Sequence, residues 1–422
     1  MKKIQMRFLL FSCTFLILVV RAGQGADTAI TATLASSPPE TGLFYIDTGF
    51  ENASPVWYEM SREGTILVHL RYDQERSSPN RAAGHIHFLL HGEPGAKLVL
   101  EFRNLDNIWN GQPGSVAREL KALVISEDGR AWKSMPTEAL PENRVCFSVQ
   151  LTGPRLYVAR LEPYRLSDLD RLLERIRKHR RVEIETIGRT VEGRNLEIVR
   201  IGKPKAPFRV FLRARAHPWE SGGNWVLQGL ILRLLQDDAE VERFLQRYCL
   251  CILPLSNKDG VARGLTRFNL QGKDLNRNWD KPADPALAPE NAALERWLER
   301  EMRAGRRPHL ALELHNDGSG LLHLARPAIP DQAGYLDRMQ ILERLLRKYT
   351  WFTEGTTQPS FRNPGSMAEG WLERYGIDTV VHEFHCNWIA GLKDYPSAVH
   401  WQDYGRNLLK VFYEYFEGKR KL

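Results

Sequence analysis

The stretch FRVFLRARAHPWESGGNWVLQG, residues 208–229, joins two kinds of periodicity. Its first half has apolar residues at alternate positions, as in a buried strand. From about 222 the apolar residues recur at helical spacing and run to about 236. Between the two lies a corner carrying His217 and Glu220, with Pro218 and Trp219 between them. A corner lets an imidazole and a carboxylate three residues apart turn toward one point. Pro218 also biases His217 toward extended backbone.

The same strand-then-helix grammar continues on both sides. Upstream lie the amphipathic run LSDLDRLLERIRKH, with Ser167 as N-cap, and the strand-like runs VEIETIG and NLEIVRIG. Downstream come CLCILPL, the helix PENAALERWLEREMRAG, the strand HLALELH, the helix AGYLDRMQILERLLRKY and the strand DTVVHEF. This alternation predicts an α/β domain over 163–422, a mixed and mainly parallel sheet flanked by helices. In such sheets sites gather beyond the carboxyl ends of strands. His217, residues 254–260, His315 and Glu383 all fall at or just after strand ends.

Before Pro163 the grammar is different. TILVHLRYD, AGHIHFLLHGE, KLVLEFRNL, KALVISEDG, RVCFSVQL and LYVARLEP alternate with period two and are separated by turns. They predict an antiparallel β-sandwich over 40–162. His85 and His87 form an H-x-H pair on one of these runs; with no third partner in sequence they read as an ordinary strand face.

The chain's 422 residues suit two domains, and 43% hydrophobic with 26% charged residues is a globular composition. The formal charge of +8 is spread along the chain. The basic runs RIRKHRR and GKRKL are short and read as solvated faces, and no nucleic-acid-binding signature accompanies them, so nucleic acid is not an expected partner. Residues 1–25 read as a secretory signal peptide. Lys2, Lys3 and Arg7 precede an apolar run that ends at Val20, and Gly23 and Gly25 stand at cleavage-site positions. That run is shorter than the ~20 residues a membrane span needs. The expectation is an exported protein, periplasmic or extracellular, with no stable membrane span once the signal is removed; an uncleaved anchor is the alternative. Cys146, Cys249, Cys251 and Cys386 then remain and read as small core residues. Cys249 and Cys251 share one strand face and are poorly placed to bridge.

A catalytic zinc site needs three protein ligands and an open position. His217 and Glu220 supply two, and His315 in LALELHND offers a third at another strand end. Alone, H-x-x-E is common by chance. The stretch LPLSNKDGVARGLTRFNLQGKDLNRNWDKP, residues 253–282, changes its weight. With HPWE before it and LELH and HEFH after it, this stretch resembles the zinc carboxypeptidases, whose motifs run H-x-x-E, N-P-D-G, D-x-N-R-N-W, zinc His, catalytic Glu. N-P-D-G appears here as NKDG, residues 257–260. HPWESGGNWVLQG, LYVARLEPYRLSDLDRLLERI and IGRTVEGRNLEIVRIG are closest to the cytosolic-carboxypeptidase branch, of which this chain resembles an exported, bacterial-style member.

The resemblance implies one Zn²⁺ per chain on His217, Glu220 and His315, lowering the pKa of a bound water and polarising the scissile carbonyl. It places Glu383 as general base and proton donor to the leaving amine, and Arg267 as the oxyanion-stabilising arginine. Asn276 and Arg277 fall where the family binds the substrate's terminal carboxylate, and Asp274 where an acid orients the first zinc His. Peptide or protein C-termini are the implied partners. His382 and His385, which flank Glu383, read as packing or outer-sphere groups, and Glu313 as outer-sphere at best. In TTQPSFRNPGSMAEGW the family's mobile-loop tyrosine is missing, with Phe361 or Arg362 nearby. Counting back from Trp371 puts the specificity position near Glu369, an acid that would favour C-terminal Lys or Arg; relatives in the cytosolic branch often remove acidic residues instead. Two alternatives stay open: a zinc amidase or deacylase, including one acting on cell-wall muropeptides, and a homologue that binds C-termini without cleaving them.

Overall fold

The computed structural model describes residues 41–325, 329–354 and 365–418. All of these fall within one compact unit, residues 38–422. The signal-peptide reading of residues 1–25 and the Phe361/Arg362 reading lie outside the described residues.

Residues 43–159 build two five-stranded sheets and a small four-stranded one. Leu98, Leu100 and Phe102 point inward from Lys97–Arg103, while Lys97 and Val99 point out. They meet Ile66, Val68, Phe88, Leu90, Phe147 and Val158 in one apolar core. The expected antiparallel sandwich is present with one exception: Ile66–Leu70 pairs in parallel with Lys97–Arg103. Between them the chain crosses to the other sheet as His87–Gly92, so it returns in its original direction.

The second sheet has seven strands in the order Val182–Arg189, Asn195–Ile201, Tyr248–Leu253, Phe208–Ala214, Leu310–Asp317, Asp378–His385, Leu322–Leu324. Its centre is parallel, from Tyr248–Leu253 through Asp378–His385. Both margins are antiparallel. The continuous apolar runs follow from burial on both faces. Leu212, Leu250 and Leu312 enter a core with helices Gly222–Leu234, Gln332–Tyr349 and Ala398–Gly418. Phe211, Cys249, Cys251 and Ala311 face the opposite way, toward Trp297, Met367 and Trp371. The four described cysteines are unpaired; Cys249, Cys251 and Cys386 are core residues and Cys146 is half-buried.

Helix Gly222–Leu234 lies against Ala398–Gly418 at two glycines. A Cβ on Gly229 would sit 2.1 Å from Gln402 O, and one on Gly405 would sit 1.9 Å from Val226 O. The helix Leu166–Ile176 starts two residues earlier than Ser167 capping would require, with Arg165 as its N-cap. Asp168 Oδ2 accepts the Arg165 N–H at 2.8 Å instead, an acid at the helix N-terminus. Leu322–Leu324, too short to show periodicity, closes the sheet edge. Among the described residues no helix is long and apolar enough to cross a membrane.

Candidate metal centre and cleft

The corner is set by backbone first. Phe208–Ala214 ends on Arg215, which has φ 65°. That left-handed residue turns the chain out of the sheet, a conformation uncommon for any residue but glycine. The Arg215 side chain then folds back: Nε donates to Pro218 O at 2.6 Å and Nη1 to Asn224 Oδ1 at 2.9 Å. Burial pushes its pKa down to about 9, with Glu220 opposing. Arg215 thus fastens the corner that presents His217 and Glu220.

The NKDG turn supports the corner from below. Asn257 Nδ2 donates to Ala216 O at 3.3 Å, and Asn257 Oδ1 caps its own short helix at Gly260 N. Buried Asp259 accepts from Thr190 Oγ1, Glu192 N and Arg194 Nη1, tying in the GRTVEGRN hairpin. A Cβ at Gly260 would lie 2.3 Å from Pro218 Cγ and 2.7 Å from Asn257 Oδ1. Glycine to alanine in a helix normally stabilises by up to ~1 kcal/mol. Here overlap outweighs that, and Gly260→Ala is expected to cost about 1–3 kcal/mol. A urea midpoint shifted down at constant m-value checks it; an upward shift would contradict the packing account.

His217, Glu220 and His315 converge. His217 Nδ1 lies 2.8 Å from Glu220 Oε1, His315 Nδ1 lies 2.7 Å from Glu220 Oε2, and the two Nδ1 atoms are 3.2 Å apart. All three residues are buried. Two imidazole nitrogens and a carboxylate sharing one point is the donor chemistry of a catalytic zinc site. The far nitrogens fit it as well. His217 Nε2 meets Asp274 Oδ1 at 3.1 Å. His315 Nε2 lies 3.4 Å from Glu313 Oε1, a carboxylate that can accept its N–H. Ligating histidines characteristically have such partners on the ring nitrogen away from the metal. The residues therefore form a metal-binding triad that suits zinc.

Glu383 is brought to the same place by register: it is the parallel partner of His315 on the adjoining strand. Its Oε2 has no hydrogen-bond partner among the described residues. Burial, with the carboxylates of Asp317, Glu220 and Glu119, holds its pKa well above the usual carboxylate range, while His315 opposes. A cavity of about 230 Å³ joins Glu383 to His217, Glu220, Arg267, Asn276 and Arg277. Arg267 Nε and Nη2 grip Asp274 Oδ2 at 2.8 and 2.7 Å, so Asp274 links Arg267 to His217. Asn276 Oδ1 accepts from Met367 N at 2.9 Å, and Arg277 Nη1 donates to Asn276 O at 2.8 Å.

Glu369 lies within electrostatic reach of Arg277. Its Oε2 closes a capping box with Ser366 N and Oγ at the start of Met367–Tyr375. It is not among the described residues lining the cavity. His382 bonds Tyr404 Oη at 2.7 Å and is buried, and His385 Nδ1 accepts from Asn387 N; both pack rather than join the triad. His85 and His87 face Asn52 O at 2.8 and 3.2 Å and join no metal-donor cluster among the described residues.

Other groups in the cleft escape motif reading. Asp317, His323 and Glu383 form a second set of converging donor atoms. The Asp317 carboxylate is fixed by Ser319 N, Ser319 Oγ and Gly320 N. The β region adds Trp109, Asn110 and Glu119 to the wall. Glu119 holds Arg160 Nη2 at 3.0 Å, and the Arg160 guanidinium lies 3.5 Å above the Trp219 ring. Trp219 is therefore a buried platform joining the metal corner to the β region. Only Asp317, two residues beyond His315 on one strand face, left a trace in the sequence pattern.

Residues 169–316 match the family model described as zinc carboxypeptidase. Cytosolic carboxypeptidase 6 of Caenorhabditis elegans is 37% identical over 100 residues, 22% of this chain and 22% of that protein. Human cytosolic carboxypeptidase 1 is 40% identical over 80 residues, 19% of this chain and 6% of that protein. The chain thus spans under a quarter of the length of either relative. Among solved structures, the metallo-carboxypeptidase from Burkholderia cenocepacia superposes with TM-score 0.75 at 20% identity, over 89% of this chain and 99% of that one. The metallo-carboxypeptidase from Pseudomonas aeruginosa gives TM-score 0.75 at 23% identity, over 88% and 99%. The matched segment, which holds both histidines of the triad, is thus similar to the zinc carboxypeptidases. The chain's sequence is similar to cytosolic carboxypeptidases and its fold to bacterial metallo-carboxypeptidases.

Proposed function

We propose that this protein is a zinc-dependent metallocarboxypeptidase that removes the C-terminal residue of peptides. The observation that carries this reading is the meeting, in one cleft, of the His217–Glu220–His315 donor set with Glu383 and Arg277. Zinc held by the triad supplies Lewis acidity and lowers the pKa of a water it binds. Glu383, with an unbonded oxygen in the cleft, takes a proton from the attacking water and delivers it to the departing amine. Arg267, fixed by Asp274, donates to the oxygen that gains charge. Arg277 binds the free carboxylate and makes the enzyme an exopeptidase, with Asn276 shaping that end of the cleft.

Matched peptides with free and amidated C-termini test this. Amidation removes a charge-assisted bond worth about 1.5–3 kcal/mol, so release is expected to slow about 10–100-fold. Equal cleavage of the amide would favour an amidase, and no cleavage by zinc-loaded protein would favour a non-catalytic binder. Peptides ending in Lys, Glu and Phe read the side-chain preference. Fastest release of Lys is expected if Glu369 serves as the pocket acid; equal rates would remove that role and leave the exopeptidase reading intact. Placement closest to the cytosolic-carboxypeptidase branch rests on the HPWE corner and the flanking runs. Export to the periplasm or outside rests on residues 1–25; recovery of the protein in the cytoplasmic fraction would overturn it, and an exported protein still beginning at Met1 would mean an uncleaved anchor.

A further inference from the structure

The loop that carries Arg267 is held from outside the α/β part. Asp73, on the short strand Asp73–Gln74 of the β region, accepts three consecutive backbone N–H groups. Thr266 N lies 3.3 Å from Oδ1, and Arg267 N and Phe268 N lie 2.7 and 2.8 Å from Oδ2. Neighbouring contacts extend the grip: Arg76 N donates to Gly272 O at 2.7 Å, and His85 N to Thr266 Oγ1 at 3.2 Å. A Cβ at Gly264 would lie 1.9 Å from Ala53 O, so the loop presses directly on β-region backbone. On its other side, Thr266 O accepts from Trp219 N at 3.4 Å, inside the metal corner. The loop is therefore clamped between Asp73 and HPWE.

A single carboxylate receiving three adjacent amides fixes the direction in which that backbone runs. It thereby fixes where the Arg267 Cα stands. The Arg267 guanidinium must then reach Asp274 and the cleft from that point. Misplacing a reacting group by ~1 Å can cost ~10²-fold in rate. We infer that Asp73 is a positioning residue: through the 266–268 backbone it aims Arg267 at the scissile carbonyl, making the β region part of the catalytic apparatus. This rests on the carboxypeptidase reading for Arg267.

Asp73→Ala in the full chain tests it, since alanine removes both oxygens and with them all three bonds to Thr266, Arg267 and Phe268, whereas Asp73→Asn can keep one oxygen on Arg267 N and Phe268 N and is expected to retain most of the rate. The expected result for Asp73→Ala is a kcat lower by about 10–100-fold, with KM within about twofold, because Arg277 and the substrate carboxylate are untouched. Zinc content stays at the wild-type level. In an Arg267→Ala background the same change is expected to add less than about threefold, since both act through one group. Independently of any substrate, hydrogen exchange at the Arg267 and Phe268 amides is expected to rise at least tenfold. Unchanged exchange overturns the clamp. Raised exchange with unchanged kcat, or losses that multiply fully with Arg267→Ala, overturns the positioning role. If the wild type releases no C-terminal residue, the carboxypeptidase reading fails and the kinetic role falls with it. The exchange measurement still decides whether the clamp exists.

Discussion

Glu383→Gln is expected to lower kcat for peptide hydrolysis about 10²–10⁴-fold and to raise, not lower, the stability of the metal-free protein. The first effect follows from chemistry: glutamine keeps the shape of the side chain but cannot accept a proton near neutral pH. The second follows from surroundings. Glu383 is held in place by its strand, its N–H donating to Leu321 O at 3.0 Å, and not by its side chain, whose Oε2 is unbonded. Burial and three nearby carboxylates raise its pKa. For an acid whose folded pKa exceeds its unfolded one, the charged form is disfavoured in the fold. The penalty is absent below the unfolded pKa and complete above the folded one. A neutral amide removes it at pH values above the raised pKa. A residue kept for structure would show the opposite pair of results. Single-turnover kinetics and thermal melts of the metal-free variant read both effects. A fully active variant would end the general-base role, and a lower melting temperature would contradict the repulsion argument.

The fold was legible because each strand and helix carries its period over many residues. FRVFLRA and LALELHND read as strands from their alternation, and their pairing as neighbouring parallel strands puts His315 beside the HPWE corner. The triad and Glu383 were legible through the motif order HPWE, NKDG, DLNRNW, LELH and HEFH, which resembles that of the zinc carboxypeptidases. What stayed hidden depended on contacts across large sequence separations. Nothing in YDQE marks Asp73 as the acceptor for Thr266, Arg267 and Phe268. Nothing in ARE marks Glu119 as the partner of an arginine that covers Trp219. Glu369 illustrates the converse limit: spacing from Trp371 suggested a pocket acid, while local helix-start chemistry occupies one of its oxygens. Arg215 was invisible for a different reason, because a left-handed non-glycine residue has no compositional signal.

Replacing Glu220 by glutamine, or His315 by alanine, is expected to weaken zinc binding by more than the ~10–100-fold typical of losing an outer-sphere partner, taking bound metal from about one ion per chain toward none in a modest excess of chelator. The two variants separate metal chemistry from packing. His315 is fully buried, so alanine also leaves a void and loses stability in the metal-free state. Glutamine at 220 fills the same space and keeps one oxygen for His217 or His315, but it loses the charge that faces both rings. The metal-free wild type holds two buried imidazoles with their Nδ1 atoms 3.2 Å apart, an arrangement a cation relieves and a proton on both rings would aggravate. Zinc should therefore raise the wild-type melting temperature by an amount set by RT ln(1 + [Zn]/Kd). That rise should shrink in Glu220→Gln even where the metal-free variant melts like the wild type. Competition against a chromophoric chelator gives the affinity directly. Wild-type zinc affinity in both variants would remove these residues from the metal site, and with them the basis for assigning the cleft to zinc at all.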